Sequence, residues 1–138
     1  MLQWKIFMIM ALIGHILCGI SDCFLTYAPN GKVDLTNFKN YEKSKESFRG
    51  MPLKNLSIAM ILGVAAMTLE IFGYLAVCGW IRQYSETYYL IMYVATIVMF
   101  INLALHHLFC CLMEWFFVKL NLTEEALNAV WDFFKTTC

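Results

Sequence analysis

Charge is scarce in this chain. Only 14% of its residues are Asp, Glu, Lys or Arg, against about 25% in soluble domains. Its ten basic residues balance its ten acidic ones, leaving a formal net charge of zero. That balance removes the electrostatic footprint with which proteins hold nucleic-acid phosphates, so no nucleic-acid partner is expected. Also missing is any C-x-x-C pair: Cys18, Cys23, Cys78, Cys110, Cys111 and Cys138 offer neither a zinc signature nor the framework that staples loop-rich secreted domains. All but Cys138 lie within apolar runs and read as small hydrophobic thiols. There is no internal repeat and no low-complexity tract. What fills the space is apolar: 61% of the 138 residues are hydrophobic, a membrane composition in a chain with room for one domain.

Residues 53–81 are the stretch around which the rest is arranged. At about 1.5 Å per residue the run makes roughly 43 Å of helix, enough to cross a hydrocarbon core of about 30 Å. Beyond Lys54 at its mouth, the one charged side chain in the run is Glu70. A carboxylate at that depth is costly against lipid and turns toward protein or a wet cavity. Ala59, Gly63, Ala66, Glu70 and Gly73 recur at helical spacing, which puts Glu70 on a stripe of small residues where another helix can approach closely.

A first span covers residues 3–28. It is too long for a secretory signal, and the small-residue site Thr26-Tyr27-Ala28 runs straight into Pro29, so it is read as uncleaved. Ala11, His15, Cys18 and Asp22 fall on one predicted face. The loop 29–52 opens on the turn signal Asn30-Gly31 and is basic: through Lys54, Lys32, Lys39, Lys43, Lys45, Arg49 and Lys54 outnumber Asp34, Glu42 and Glu46. Basic loops stay on the cytoplasmic side, which predicts a cell-membrane protein with its amino terminus outside and this loop inside. Asn37 to Phe48 is a candidate interfacial helix, and Pro52 opens the second span where a missing N–H is tolerated.

The short link after Ile81 makes an antiparallel hairpin with a third span, residues 88–118. Trp80, Tyr84, Tyr88 and Tyr89 form an aromatic belt at the outer interface. A last helix over residues 121–137, capped by Asn121 or Thr123, carries an apolar stripe of Leu127, Val130, Trp131 and Phe134. It is acidic, unlike lipid-surface helices, so it is expected to pack on the protein or to begin a fourth span. The glycosylation patterns at Asn55 and Asn121 fall on the inner side of this topology and are expected to stay bare.

Depth sorts the polar residues. His15 and Glu70 each lie about 14 to 16 Å from the outer face, near the midplane, while Asp22 and His106 share the inner half. Two buried pairs are expected, Glu70 with His15 and Asp22 with His106, forming with Asn102 a polar seam. His106 falls on the face of Asn102 and Cys110; His107 falls with Cys111 and Glu114. No metal or cofactor is specified. If a metal is present, Asp22 and His106 are its candidate ligands.

The run Gly19-Ile20-Ser21-Asp22-Cys23-Phe24-Leu25, the Pro29-Asn30-Gly31 turn, Met51-Pro52 opening a glycine-containing span, and a histidine late in the third span together resemble an uncharacterised family of multi-pass bacterial membrane proteins. The resemblance covers residues 10–110. In that family an acidic residue closely follows the glycine, whereas Ile20 and Ser21 intervene here. The resemblance implies that this chain corresponds to the family's N-terminal half or a reduced version of it, favours Asp22 and His106 as matched positions, and implies no activity.

The expectation is therefore an all-α integral membrane bundle of three transmembrane helices plus a C-terminal amphipathic helix, a single membrane domain over residues 1–138. The bilayer is its solvent, and a second copy or a partner membrane subunit is its expected companion. Binding or transport of a small molecule or proton through Glu70, His15, Asp22, Asn102 and His106 is the leading functional expectation. An intramembrane metal-dependent lipid hydrolase is the alternative, and a structural subunit whose polar residues only tie helices together is the third.

Overall fold

The computed structural model describes residues 2–29, 31–33 and 40–137. Among them the chain forms helix α1 (Leu2–Thr26), a hairpin of β1 (Tyr27–Ala28) and β2 (Gly31–Lys32), and helices α2 (Tyr41–Phe48), α3 (Leu53–Ile81), α4 (Glu86–Lys119) and α5 (Glu124–Thr137). The class is all-α, and α1, α3 and α4 are each long and apolar enough to cross a membrane. The hairpin pairs Tyr27 with Lys32 and Ala28 with Gly31. Gly31 takes a φ of 122°, open at little cost only to glycine. Asn30 of the turn signal and Asp34, Asn37 and Lys39 of the basic loop lie outside the described residues.

Capping sets the short helices. The Asn40 side chain accepts a hydrogen bond from the Lys43 amide at 3.1 Å, starting α2, and Gly50 at φ 80° lets the chain leave it. α5 begins at Glu124 rather than at residue 121, because Asn121 and Leu122 adopt φ of 60° and 56° and turn the chain. Thr123 is the cap, its hydroxyl accepting from the Ala126 amide at 3.2 Å. Ser85 does the same for the Tyr88 amide at the start of α4, at 3.3 Å.

The chain divides into two compact units. One comprises Met1–Ile20 and Ile61–Leu108; the other comprises Ser21–Met60 and Phe109–Cys138. In the first, α3 packs α1 along one side through missing side chains. A methyl on Gly73 would come within 2.6 Å of the Ala11 Cβ, and one on Gly79 would run into the Trp4 indole. α3 also meets α4, on a face next to the one that meets α1. A methyl on Gly63 would collide with the His107 imidazole, Cys78 Sγ lies 3.7 Å from Thr96 Oγ1, and the Tyr74 and Phe100 rings meet edge to face at 5.1 Å. These are close approaches that only small residues permit. Along its apolar stretch α3 is the most enclosed of the three long helices.

The second unit holds a core of Val33, Phe48, Met51, Leu56, Phe117, Ala126 and Leu127. Phe48 of α2 meets Phe117 of α4 edge to face at 5.7 Å. α5 inserts Ala126, Leu127 and Val130, so the acidic helix packs on the protein itself. Trp131 is half-buried, and the Phe134 side chain lies outside those described. Ser21 Oγ donates to the Ala59 carbonyl at 2.9 Å, tying the last turns of α1 to α3. None of the five described cysteines is in a disulfide.

Candidate functional site

Glu70 sits seventeen residues past Leu53 and eleven before Ile81, about 26 and 16 Å along α3. It is 7% exposed. Its Oε1 lies 2.9 Å from His15 Nδ1 of α1, with the carboxylate side chain enclosed and the imidazole 61% exposed. The expected mid-depth pair is thus formed. The approach is at ion-pair distance but not along a ring N–H, so Oε1 is left without an aligned hydrogen bond.

What brings the two side chains together is Gly14. A methyl there would come within 2.7 Å of the Ala66 carbonyl oxygen and 2.8 Å of both the Glu70 amide nitrogen and Cγ, so only glycine lets α1 come this near. Beside the pair runs a groove of about 320 Å³, formed by Met8, Ala11, Leu12 and His15 of α1 and by Glu70, Gly73, Tyr74 and Val77 of α3. Its walls are apolar except for the carboxylate, the imidazole and the phenol. A carboxylate beside an imidazole can pass a proton between them.

The other expected seam residues are placed differently. Asp22, Asn102 and His106 are exposed, and so is most of His15, leaving Glu70 as the only buried member of the five. The inward residues are neighbours of those expected: Ser21 rather than Asp22, and His107 rather than His106. One residue is about 100° of helix, so a face chosen one position away points nearly sideways. The buried stripe of α4 runs through Thr96, Phe100, His107, Cys111, Glu114 and Phe117. The grouping of His107 with Cys111 and Glu114 therefore holds, but that group, not the one with His106, faces inward. Asp22 and His106 fall in different units.

Glu114 is a further buried residue outside the expected seam, and with Glu70 it is one of the two buried acidic residues among those described. It is 3% exposed, and its Oε2 has no hydrogen-bond partner among the described residues. The signal that would have found it is its phase, three residues after Cys111 and three before Phe117 on the stripe that meets protein. Among the described residues, no three His, Cys, Asp or Glu side chains converge in a way that could hold a metal ion.

Fold and site together define a class: an all-α chain with three helices long and apolar enough to cross a bilayer, and with an enclosed mid-helix carboxylate beside an exposed imidazole. The chain belongs to a family of unknown function, DUF6796, whose model matches residues 1–138. No curated protein and no solved structure matches it.

Proposed function

We propose that this chain is a multi-pass cell-membrane protein that carries protons, alone or with a small molecule, through the groove between α1 and α3, with Glu70 as the proton-binding group and His15 as its exchange partner. One observation carries the reading: an enclosed carboxylate at mid-helix, 2.9 Å from an imidazole that is itself open to the groove's surroundings. Intramembrane ionisable groups are expensive to keep and mark ion and proton pathways. The basic loop supports an orientation with residues 29–52 in the cytoplasm and the amino terminus outside.

Purified protein in liposomes with a pH-sensitive dye inside tests this directly. Under an imposed membrane potential, the wild-type chain is expected to pass protons above the level of protein-free vesicles, and Glu70→Gln to return the flux to that level. Glutamine keeps the volume that fits against Gly14 but cannot ionise. Equal flux through wild type and Glu70→Gln, or no flux through folded wild type, would refute the assignment. A pair that served only to tie α1 to α3 would give the second outcome.

A further inference from the structure

The face of α4 turned away from α3 carries a second message. Ile91, Ala95, Val98, Asn102 and Leu105 follow one another at steps of four, three, four and three residues and are all exposed, Ile91 by 59%, Val98 by 53% and Leu105 by 46%. Asn102 lies two residues past buried Phe100, about 200° round the helix, so this row runs down the side opposite the α3 contact. An apolar row facing lipid needs no partner, and four of the five residues need no further account.

Asn102 does. It stands sixteen residues from Glu86 and seventeen from Lys119, about 24 Å from either end of α4, at the depth where hydrocarbon is the only solvent. The hydrogen bond its side chain makes among the described residues runs back along its own helix, Nδ2 donating to the Val98 carbonyl at 2.8 Å. That leaves a carboxamide oxygen and a second N–H facing outward, where acyl chains can satisfy neither.

We propose that this row is a self-association surface, on which α4 of a second copy packs in parallel, with the two Asn102 amides bonded to each other across a two-fold axis along the membrane normal. Three features select a second copy over another partner. A carboxamide is both donor and acceptor, so it complements its own image. Two copies inserted with the same topology present α4 in parallel, the arrangement in which each core position of a heptad meets its equivalent. The steps of three and four put Asn102 and Ala95 at equivalent core positions, with small Ala95 letting the backbones close in two turns away. The inference rests on α4 crossing the membrane and not on the role given to Glu70.

The test is the oligomeric state in lipid, read by energy transfer between donor- and acceptor-labelled copies of the full chain in vesicles over a range of protein-to-lipid ratios. Wild type is expected to dimerise. Asn102→Leu, which hydrocarbon accommodates readily, is expected to weaken the dimer by about 3- to 30-fold, the worth of one interhelical hydrogen bond. Asn102→Gln, which keeps the amide, should retain most of the association, and Glu70→Gln should leave it unchanged. Wild type that stays monomeric at every ratio, Asn102→Leu that associates as tightly as wild type, or association seen only when a different membrane protein is added would each overturn the proposal.

Discussion

Gly14→Leu is expected to drive α1 off α3 and break the His15–Glu70 contact, while Gly19→Leu, five residues along the same helix, is expected to leave both intact. The difference lies in what each new side chain meets. At Gly14 a Cβ would come within 2.7 Å of the Ala66 carbonyl oxygen and 2.8 Å of the Glu70 amide nitrogen, and both belong to the α3 backbone, which cannot rotate aside. At Gly19 it meets nothing within 4 Å. Overpacking a tight contact costs about 1 to 3 kcal/mol and occasionally more, whereas leucine on an open helix face replaces a poor helix former at a gain of up to about 1 kcal/mol. Thermal unfolding in detergent separates the two: the melting temperature should fall for Gly14→Leu and hold or rise for Gly19→Leu. Proton flux, if Glu70 carries it with His15, should follow the same order. Equal melting temperatures would mean that α1 does not seat on α3 through Gly14.

The second large effect belongs to Phe117→Ala. Phe117 and Phe48 are 0% and 1% exposed, and their rings lock α4 to α2 edge to face within the core that also receives Ala126 and Leu127 of α5. Truncating a ring so enclosed costs about 3 to 5 kcal/mol, through lost burial and the cavity left behind. Hydrogen exchange is the informative readout. The amides of α2 and α5 should lose protection together, because both helices lean on this ring. Phe48→Ala added to Phe117→Ala should cost less than the two changes separately, since they share one contact. Protection in α2 and α5 that survives the loss of Phe117 would show that the two helices are held by something else.

How much of this could be read from the chain depended on what marks a helix face in each setting. In α5 polar and apolar residues alternate clearly, so the cap at Thr123 and the apolar stripe through Leu127 and Val130 located the helix to within a few residues, while for α2 the range 37–48 enclosed the helix but Asn40, its cap, was not singled out. The start of α5 slipped because two consecutive residues, Asn121 and Leu122, turn through the left-handed region, which a leucine rarely does. In helices long and apolar enough to cross a bilayer, every face is apolar, hydrophobic periodicity fades, and only residue size and rare polar groups mark a face. The small residues of α3 marked it well: Gly73 and Glu70 face α1, and the pairing with His15 followed. On α1 and α4 the face was chosen by following the charged residue, Asp22 or His106. The structure instead turns in the smaller Ser21, whose hydroxyl finds a backbone carbonyl, and His107, whose ring fits where Gly63 has no side chain. Gly14, Gly63 and Gly79 were the better guides, because each marks a close approach that no larger residue allows.

The centre of the account is the meeting of the His15 and Glu70 side chains between α1 and α3, and its most direct test is their separation in a bilayer. Solid-state NMR on the wild-type chain in lipid, with labelled histidine ring nitrogens and labelled glutamate carboxyl carbons, measures it. The account predicts a distance of about 4 Å between the His15 ring nitrogen and the Glu70 carboxyl carbon. A separation beyond about 8 Å, too long even for a bridging water, would contradict it.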